Sequence, residues 1–164
     1  SPFIDVVYWL FGDMTNFNAR FAEFTHAHNT AFEDSGFVMF EFLKGGMGTL
    51  QFSTAVADSN FESSLTIVAE HGTVKVGGQY MNEVEYCNIR DYEMPELPPS
   101  NPANDYGHYK GSAANHGYVF ENVFETLRGD AQISTNALEG LKVVDIIERI
   151  YEAGDRGINA SFGR

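Results

Sequence analysis

The residues best suited to binding or acid–base chemistry cluster in the stretch "DYGHYKGSAANHGYVF", residues 105–120. It supplies phenols, imidazoles, an ammonium and an amide, from Tyr106, His108, Tyr109, Lys110, Asn115 and His116. The end of the stretch opens an apolar pattern of helical spacing, and a helix N-terminus attracts anions. Lys110 and the tyrosine hydroxyls could therefore hold a polar or anionic ligand. The same residues could equally form a helix cap with exposed aromatic side chains.

Other polar residues suggest alternative sites. Asn82, after "GGQYM", and Arg90 are secondary candidates for ligand contacts. His26 and His28 could bind a metal, but no third ligand lies nearby in the sequence, so we interpret them as a solvated loop. Glu33 and Asp34 would point to opposite faces of a strand and cannot flank one glycosidic bond, which argues against a glycosidase.

Composition excludes several classes of partner. Ten Lys and Arg against 23 Asp and Glu give a net charge of −13, which repels nucleic acids and anionic membranes. Cys87 is the single cysteine, so the chain can form no internal disulfide. No run of 18 apolar residues and no basic, apolar leader occurs. We expect a cytoplasmic protein, although a segment before Ser1 could carry a signal.

The first half of the chain predicts a helix followed by strands. Residues 3–10 form an apolar segment that ends at Gly12, which is typical of a buried helix. Because this helix begins without any preceding segment, we expect an N-terminal part of the protein before Ser1. Strand patterns follow, including the hairpin "GFVMFEFLKGGMGTLQFSTAV", the pair around His71 and Gly72, and "EVEYCNIR". Within the hairpin both faces of the first strand are apolar, with Phe37, Met39 and Leu43 on one side and Val38, Phe40 and Phe42 on the other.

The second half predicts a loop and two helices. Residues 91–114 hold four of the five prolines and read as a long loop that could cover a site. The first helix has Asn115 as its N-cap, Gly129 as its stop and an apolar stripe formed by Val119, Phe120, Val123, Phe124 and Leu127. The second has a capping box of Asn136 and Glu139, and a face formed by Leu138, Leu141, Val144 and Tyr151. The predicted fold class is α+β, a mostly antiparallel meandering sheet of five or six strands with helices on one face. The open apolar face would pair with a second copy.

Four ordered segments resemble the C-terminal domain of the Gfo/Idh/MocA oxidoreductases. They are "IDVVYWLFGD", "FEDSGFVMFEFLKGGMGTLQFSTA", "EHGTVKVGG" and "NVFETLRGDAQISTNALEGLKVVDIIERIYEAG". The run "GTVKVGGQYMNEVEY" is most similar to the nucleotide-sugar members. The resemblance covers nearly all of residues 1–164 and implies a single substrate-binding and dimerisation domain.

The resemblance also implies that this chain is the C-terminal part of a longer protein, here called the parent protein, which has a further domain. In this family an N-terminal Rossmann domain binds NAD or NADP, while the C-terminal domain lines the sugar site and pairs its sheet into dimers and tetramers. This chain lacks the G-x-G-x-x-G turn, and its "GGMG" lies in a hairpin, so we expect no cofactor in the chain itself. The implied sugar-binding residues are Lys110, His116, His108, Tyr106 and Asn82.

The expected catalytic position departs from the family. A Lys of the Rossmann half and a His three residues before Asp5 would handle the proton, but Pro2 stands there and cannot titrate. We therefore assign no catalytic residue and expect Asp5 to fix the domain junction. Pro2 is also the best argument for an alternative, a non-catalytic ligand-binding or interaction module. A site for a small apolar ligand is a third possibility, disfavoured by the polar, Tyr-rich loop.

Overall fold

The computed structural model describes residues 2–26, 28–108 and 110–155. These residues form helices and antiparallel strands, which confirms the α+β class. In chain order the elements are α1 Pro2–Phe11, β1 Met14–Ala22, β2 Ser35–Phe42, β3 Met47–Ser53, β4 Leu65–Ala69, β5 Gly72–Gly77, β6 Glu83–Ile89, β7 Ala103–Asp105, β8 Lys110–Ala113, α2 His116–Arg128 and α3 Ala137–Asp155. No helix among the described residues is long and apolar enough to cross a membrane.

The described residues divide into two compact units. Unit 1 takes those of 1–55 and 134–164, and unit 2 takes those of 56–133. The six longer strands agree with the predicted number, but they form two three-stranded sheets, β1-β2-β3 in unit 1 and β4-β5-β6 in unit 2.

The unit 1 sheet contains the predicted hairpin. Lys44, Gly45 and Gly46 lie in the turn between β2 and β3, where Gly45 N–H donates to Phe42 O at 2.9 Å. Gly45 and Gly46 have φ of 97° and 101°, a left-handed conformation that side chains rarely adopt. Two glycines in succession therefore allow this tight reversal.

Burial in β2 decides which of its two apolar faces is inward. Val38 is 1% exposed and Phe40 is 8% exposed, whereas Phe37 and Met39 are 64% and 60% exposed. The inward face shares its core with α1 and α3 through Ile4, Met14, Val143, Ile146 and Ile150. The face bearing Phe37 and Met39 is left open.

The buried face of α3 differs from the predicted one. Leu138, Leu141, Val144 and Tyr151 share a face, but all four are exposed, and Val143, Ile146 and Ile150 are buried instead. Both stripes are apolar and run the length of the same helix, so periodicity alone could not choose between them. The predicted capping box is confirmed, because Asn136 Oδ1 accepts Glu139 N–H at 3.1 Å and Glu139 Oε2 accepts Asn136 N–H at 3.0 Å.

Helix α1 ends as predicted, with Gly12 at φ 83° and its N–H donating to Tyr8 O at 2.8 Å. The expectation of a buried helix holds for one side only, since Ile4 is buried while Trp9 is 79% exposed. Asp5 is exposed. Its expected role at a junction with an N-terminal domain stays a prediction.

Asp13 joins two elements of unit 1. Its Oδ1 accepts Arg149 Nη2 at 2.6 Å, and Arg149 Nη1 donates to Met14 O at 2.6 Å. The guanidinium also lies 5.4 Å from the centre of the Phe17 ring. Burial opposes ionisation of Asp13, but the hydrogen bonds from Arg149 and Met14 N–H, together with the positive charges of Arg149 and Lys142, outweigh it and lower the pKa of the carboxyl. This contact ties α3 to the start of β1.

Unit 2 departs from the sequence prediction in two places. The segment predicted as an unbroken loop contains a short hairpin, β7 paired with β8. Helix α2 ends at Gly129 as predicted, with φ 86° and the cap N–H donating to Glu125 and Thr126 carbonyls. Its apolar stripe, however, contains no buried residue, with Phe120, Phe124 and Leu127 all exposed.

Candidate functional site

Three segments of unit 2 enclose a groove of about 1160 Å³. They are the turn between β5 and β6, the proline-rich segment before β7, and the first turn of α2. The lining residues are Val76, Tyr80, Met81, Asn82, Glu83, Val84, Met94, Pro95, Glu96, Leu97, Pro98, Pro99, Ser100, Asn101, Asn115, His116, Tyr118 and Val119. Amide, imidazole and phenol groups thus alternate with apolar surface, a composition typical of small-molecule sites.

The β5–β6 turn is held by its own hydrogen bonds. Asn82 N–H donates to Gly77 O at 2.9 Å, and Met81 adopts φ 56°. Glu85 Oε1 accepts Gly78 N–H at 2.9 Å from within β6. These contacts fix the backbone that carries Tyr80 and Asn82 into the groove.

The proline-rich segment, residues 93–101, forms one wall of the groove and is anchored at its C-terminal end. Ser100 Oγ donates to Asn82 O, and Asn101 Nδ2 donates to Asn115 Oδ1 at 2.8 Å. Two side chains therefore connect this wall to both of the other segments. Asn115 is the N-cap residue of α2, as predicted, but its side chain makes no capping hydrogen bond and accepts from Asn101 instead.

The structure brings together two of the five predicted sugar-binding residues. Asn82 and His116, 34 positions apart in the sequence, both line the groove. Lys110 contacts one of the lining residues, because its backbone carbonyl accepts a hydrogen bond from the Tyr80 hydroxyl at 2.9 Å. Tyr106 and His108 lie exposed at the β7–β8 turn and are not among the described lining residues. Tyr109 lies outside the described residues.

Sequence reasoning missed Tyr80 and Tyr118 as groove residues. Tyr80 follows a glycine pair at a strand end, which is the one local signal that could have indicated it. Tyr118 directly precedes the apolar stripe of α2, and no local sequence pattern indicates that it lines a groove.

Charge beside the groove is largely paired. Lys75 Nζ lies 2.6 Å from Glu85 Oε2 and 2.9 Å from Glu62 Oε1. The hydrogen bonds to Glu85 and then Glu62 raise the pKa of Lys75 to about 12. Its ammonium is thus paired with one carboxylate on β6, Glu85, and one in the segment before β4, Glu62.

A second polar cluster surrounds Asp34 in unit 1. Asp34 Oδ2 accepts Phe24 N–H at 3.0 Å and Thr25 N–H at 2.8 Å, while Oδ1 accepts the Ser35 hydroxyl at 2.9 Å. His26 Nδ1 lies 3.2 Å from Oδ2. Within the described ranges no group of three or more His, Cys, Asp or Glu residues is arranged to hold a metal ion.

Two positions bear on dinucleotide chemistry. Pro2, at the expected catalytic position, is the first residue of α1, where its missing N–H leaves no unsatisfied donor. The "GGMG" run lies in the β2–β3 turn and on β3, where the Gly45 amide is used by Phe42 O. This run does not fit a pyrophosphate, which needs free amides at a helix N-terminus.

The chain was compared with known families and structures. Residues 2–158 match the family model of the oxidoreductase family C-terminal alpha/beta domain, Gfo/Idh/MocA type. A search of curated proteins gave no match.

Two solved structures of WlbA dehydrogenases, each in complex with NADH and UDP-GlcNAcA, are similar in sequence and fold. The Bordetella pertussis enzyme is 26% identical over 95% of this chain and 41% of its own, with a TM-score of 0.75. The Chromobacterium violaceum enzyme is 28% identical over 94% of this chain and 42% of its own, with a TM-score of 0.73. A levoglucosan dehydrogenase in complex with NADH and levoglucosan, at 16% identity over 93% of this chain and 46% of its own and a TM-score of 0.70, shares the fold.

This chain therefore spans about two-fifths of the length of the two WlbA chains. The family match covers nearly all of its residues, 2–158, and confirms the family that the sequence resemblance predicted. The chain belongs to the C-terminal alpha/beta domain family of the Gfo/Idh/MocA oxidoreductases.

Proposed function

We propose that this chain is the substrate-binding and oligomerising half of an NAD(P)-dependent oxidoreductase that acts on a sugar or a nucleotide sugar. The unit 2 groove would hold the sugar. The observation that carries the proposal is the meeting of Asn82 and His116 in one groove, beside the Asn101–Asn115 amide pair. Amides and an imidazole can donate to and accept from sugar hydroxyls, and the apolar wall can cover the C–H face of a sugar ring.

The cofactor would be bound by the remainder of the parent protein. The glycine run of this chain does not fit a pyrophosphate, whereas the WlbA structures contain NADH. A nicotinamide supplies a hydride acceptor or donor when bound. The residues of this chain would bind and orient the sugar, and no proton-transfer step is assigned to them.

A non-catalytic ligand-binding module on the same fold is the second candidate. Pro2 favours it, because proline cannot take the place of the proton-handling His expected three residues before Asp5. An active parent would need its proton acceptor elsewhere. Hydride transfer to NAD or NADP by the intact protein separates the two candidates.

The test of the sugar site compares three single variants of the intact parent protein. We expect His116→Ala to weaken sugar binding about tenfold, as the loss of a hydrogen bond to a polar partner does, and to leave NADH binding unchanged. Lys110→Ala should weaken sugar binding less, because the Lys110 carbonyl that accepts the Tyr80 hydroxyl is kept. His71→Ala is the matched control, because His71 is exposed in the β4–β5 turn and uses only its carbonyl, toward Arg90 N–H. Isothermal titration with N-acetylglucosamine, its UDP derivative and NADH gives the affinities. Unchanged sugar affinity in His116→Ala would assign His116 to the first turn of α2 alone.

A further inference from the structure

We propose that Met81 is a ligand-contacting residue, held in an unfavourable backbone conformation that presents its thioether side chain to the apolar C–H face of the sugar ring. The inference rests on the proposed function, which places a sugar in this groove. It adds an apolar contact to the polar contacts expected from Asn82 and His116.

The first support is the backbone conformation of Met81. Its φ of 56° lies in the left-handed region, which is unfavourable for a residue with a long side chain. The other described non-glycine residues with positive φ are Asn16, Asp58 and Asp91. Short polar side chains tolerate this region because they can form local hydrogen bonds, and methionine has no such group. Asparagine or glycine would therefore suit the backbone at position 81 better than methionine does.

The second support is a set of hydrogen bonds that fixes the residues on both sides of Met81. Before it, Gln79 Nε2 donates to Asn60 O at 2.7 Å, and Asn60 Nδ2 donates back to Gln79 O. After it, Asn82 N–H donates to Gly77 O at 2.9 Å. A residue between two fixed neighbours can be held in a strained conformation, because the contacts around it outweigh the strain.

The third support is where the strain occurs. Met81 is half-buried and lines the groove between Tyr80 and Asn82, whereas Asp58 and Asp91 are not among the described lining residues. A thioether is apolar and polarisable, so it packs well against C–H groups. Strained residues cluster at ligand sites, where they hold a contact in place before the ligand arrives. Met81 combines the strain, the position and the side chain that such a contact needs.

The test measures binding and stability in variants of the intact parent protein. We expect Met81→Asn to raise the melting temperature, because asparagine tolerates positive φ, and to weaken binding of the UDP derivative of N-acetylglucosamine about fivefold, because the apolar contact is lost. Met81→Gln keeps the length and the strain but ends in a polar amide, so it should weaken binding to a similar extent at an unchanged melting temperature. Met81→Leu keeps an apolar side chain and should bind like the wild type. Isothermal titration and thermal melts give the two quantities.

Asp91→Gly is the matched control, because Asp91 has a φ of 58° and lies outside the described groove lining. Glycine also tolerates this conformation, and the affinity should stay unchanged. Wild-type affinity in both Met81→Asn and Met81→Gln would show that Met81 contacts no ligand. A melting temperature of Met81→Asn below that of the wild type would overturn the strain. In either case the sugar site tested by His116→Ala stands, whereas a wild-type protein that binds none of the sugar ligands would refute the proposed function and this inference with it.

Discussion

Asp34 joins three segments at one end of the unit 1 sheet. Besides its side-chain contacts, its N–H donates to Ala22 O at 3.1 Å and its carbonyl accepts Thr54 N–H at 2.7 Å. The residue is 3% exposed, so water cannot replace these partners. Burial disfavours the charged carboxylate, but hydrogen bonds from Thr25 N–H, the Ser35 hydroxyl and Phe24 N–H outweigh it and hold the pKa of Asp34 well below 3.8.

The lowered pKa of Asp34 predicts how the free energy of unfolding depends on pH. The unfolded chain would protonate Asp34 near its ordinary pKa of 3.8 while the folded chain resists protonation. The stabilisation is therefore complete above about pH 4 and is lost progressively as the pH falls below that value. Asp34→Asn should lower the melting temperature at pH 7 by several degrees, since an amide presents N–H groups to donors, and should flatten the decline below pH 4. Thermal melts by circular dichroism at pH 7 and pH 3 measure both effects.

The control is Asp58→Asn, an exposed aspartate whose φ of 63° asparagine also tolerates. It should melt like the wild type at both pH values. Equal melting of Asp34→Asn and wild type at pH 7 would mean that the Asp34 contacts add nothing to stability.

At the scale of elements, the Phe21 ring fixes how α3 approaches the sheet. A Cβ on Gly36 of β2 would lie 2.8 Å from Phe21 Cδ1, and a Cβ on Gly154 of α3 would lie 2.3 Å from Phe21 Cε2. The Tyr151 and Phe52 rings lie 5.2 and 6.4 Å from it, centre to centre. The ring is thus confined between two glycines and two aromatics, and it has little room to move.

Two glycines of α3 should therefore respond oppositely to alanine. Gly140→Ala should raise stability by about 0.5–1 kcal/mol, because alanine favours helix and nothing lies within 4 Å of the added Cβ. Gly154→Ala gains the same helix preference, but its Cβ must displace the Phe21 ring. This overpacking costs about 1–3 kcal/mol, so the variant should be less stable than the wild type. Urea unfolding of both variants gives the two free energies of unfolding. A Gly154→Ala variant as stable as Gly140→Ala would show that Phe21 moves freely.

The elements themselves were largely predictable and their packing was not. Glycine stops such as Gly12 and Gly129 and the Asn136 capping box act within a few residues, so the sequence contains their full cause. The buried face of α3 depends on which of two apolar stripes meets β1, a contact between distant residues. The groove likewise depends on the Ser100 and Asn101 anchors, which no local pattern indicates, and so Asn82 and His116 could be proposed as candidates but not placed together.

At the scale of the whole molecule, the open side of the unit 1 sheet has the composition of an interface. Phe37, Met39 and Met47 are exposed there, and the register places Asn18 opposite Met39 and Gln51 opposite Phe37. An apolar centre with a polar surround is the usual anatomy of a protein interface. We propose that a second copy covers this outer face.

The two sides of β2 provide matched tests of that proposal. Met39→Glu should leave a folded monomer, since Met39 is on the exposed side, whereas Phe40→Glu should unfold unit 1 by placing a charge in its core. Each large apolar side chain buried in the interface stabilises the dimer by about 1.5–3 kcal/mol. Because salt screens charges and does not weaken apolar burial, the dimer should not dissociate as the salt concentration rises. Sedimentation velocity at tens of micromolar reads the oligomeric state, and circular dichroism reads the fold. A wild-type chain that sediments as a monomer at that concentration would contradict the proposal.

Trp9 gives the molecule an optical reporter of an unusual kind. It is the single tryptophan and stands 79% exposed on α1. Its indole is exposed to water in the folded chain nearly as much as in the unfolded chain. The tryptophan emission should therefore change little on denaturation, and iodide should quench it in both states. A blue shift with loss of quenching would instead signal that the outer side of α1 had become covered. Intrinsic fluorescence of this chain thus follows contact with other surfaces, and only the eight tyrosines and the far-ultraviolet signal follow its folding.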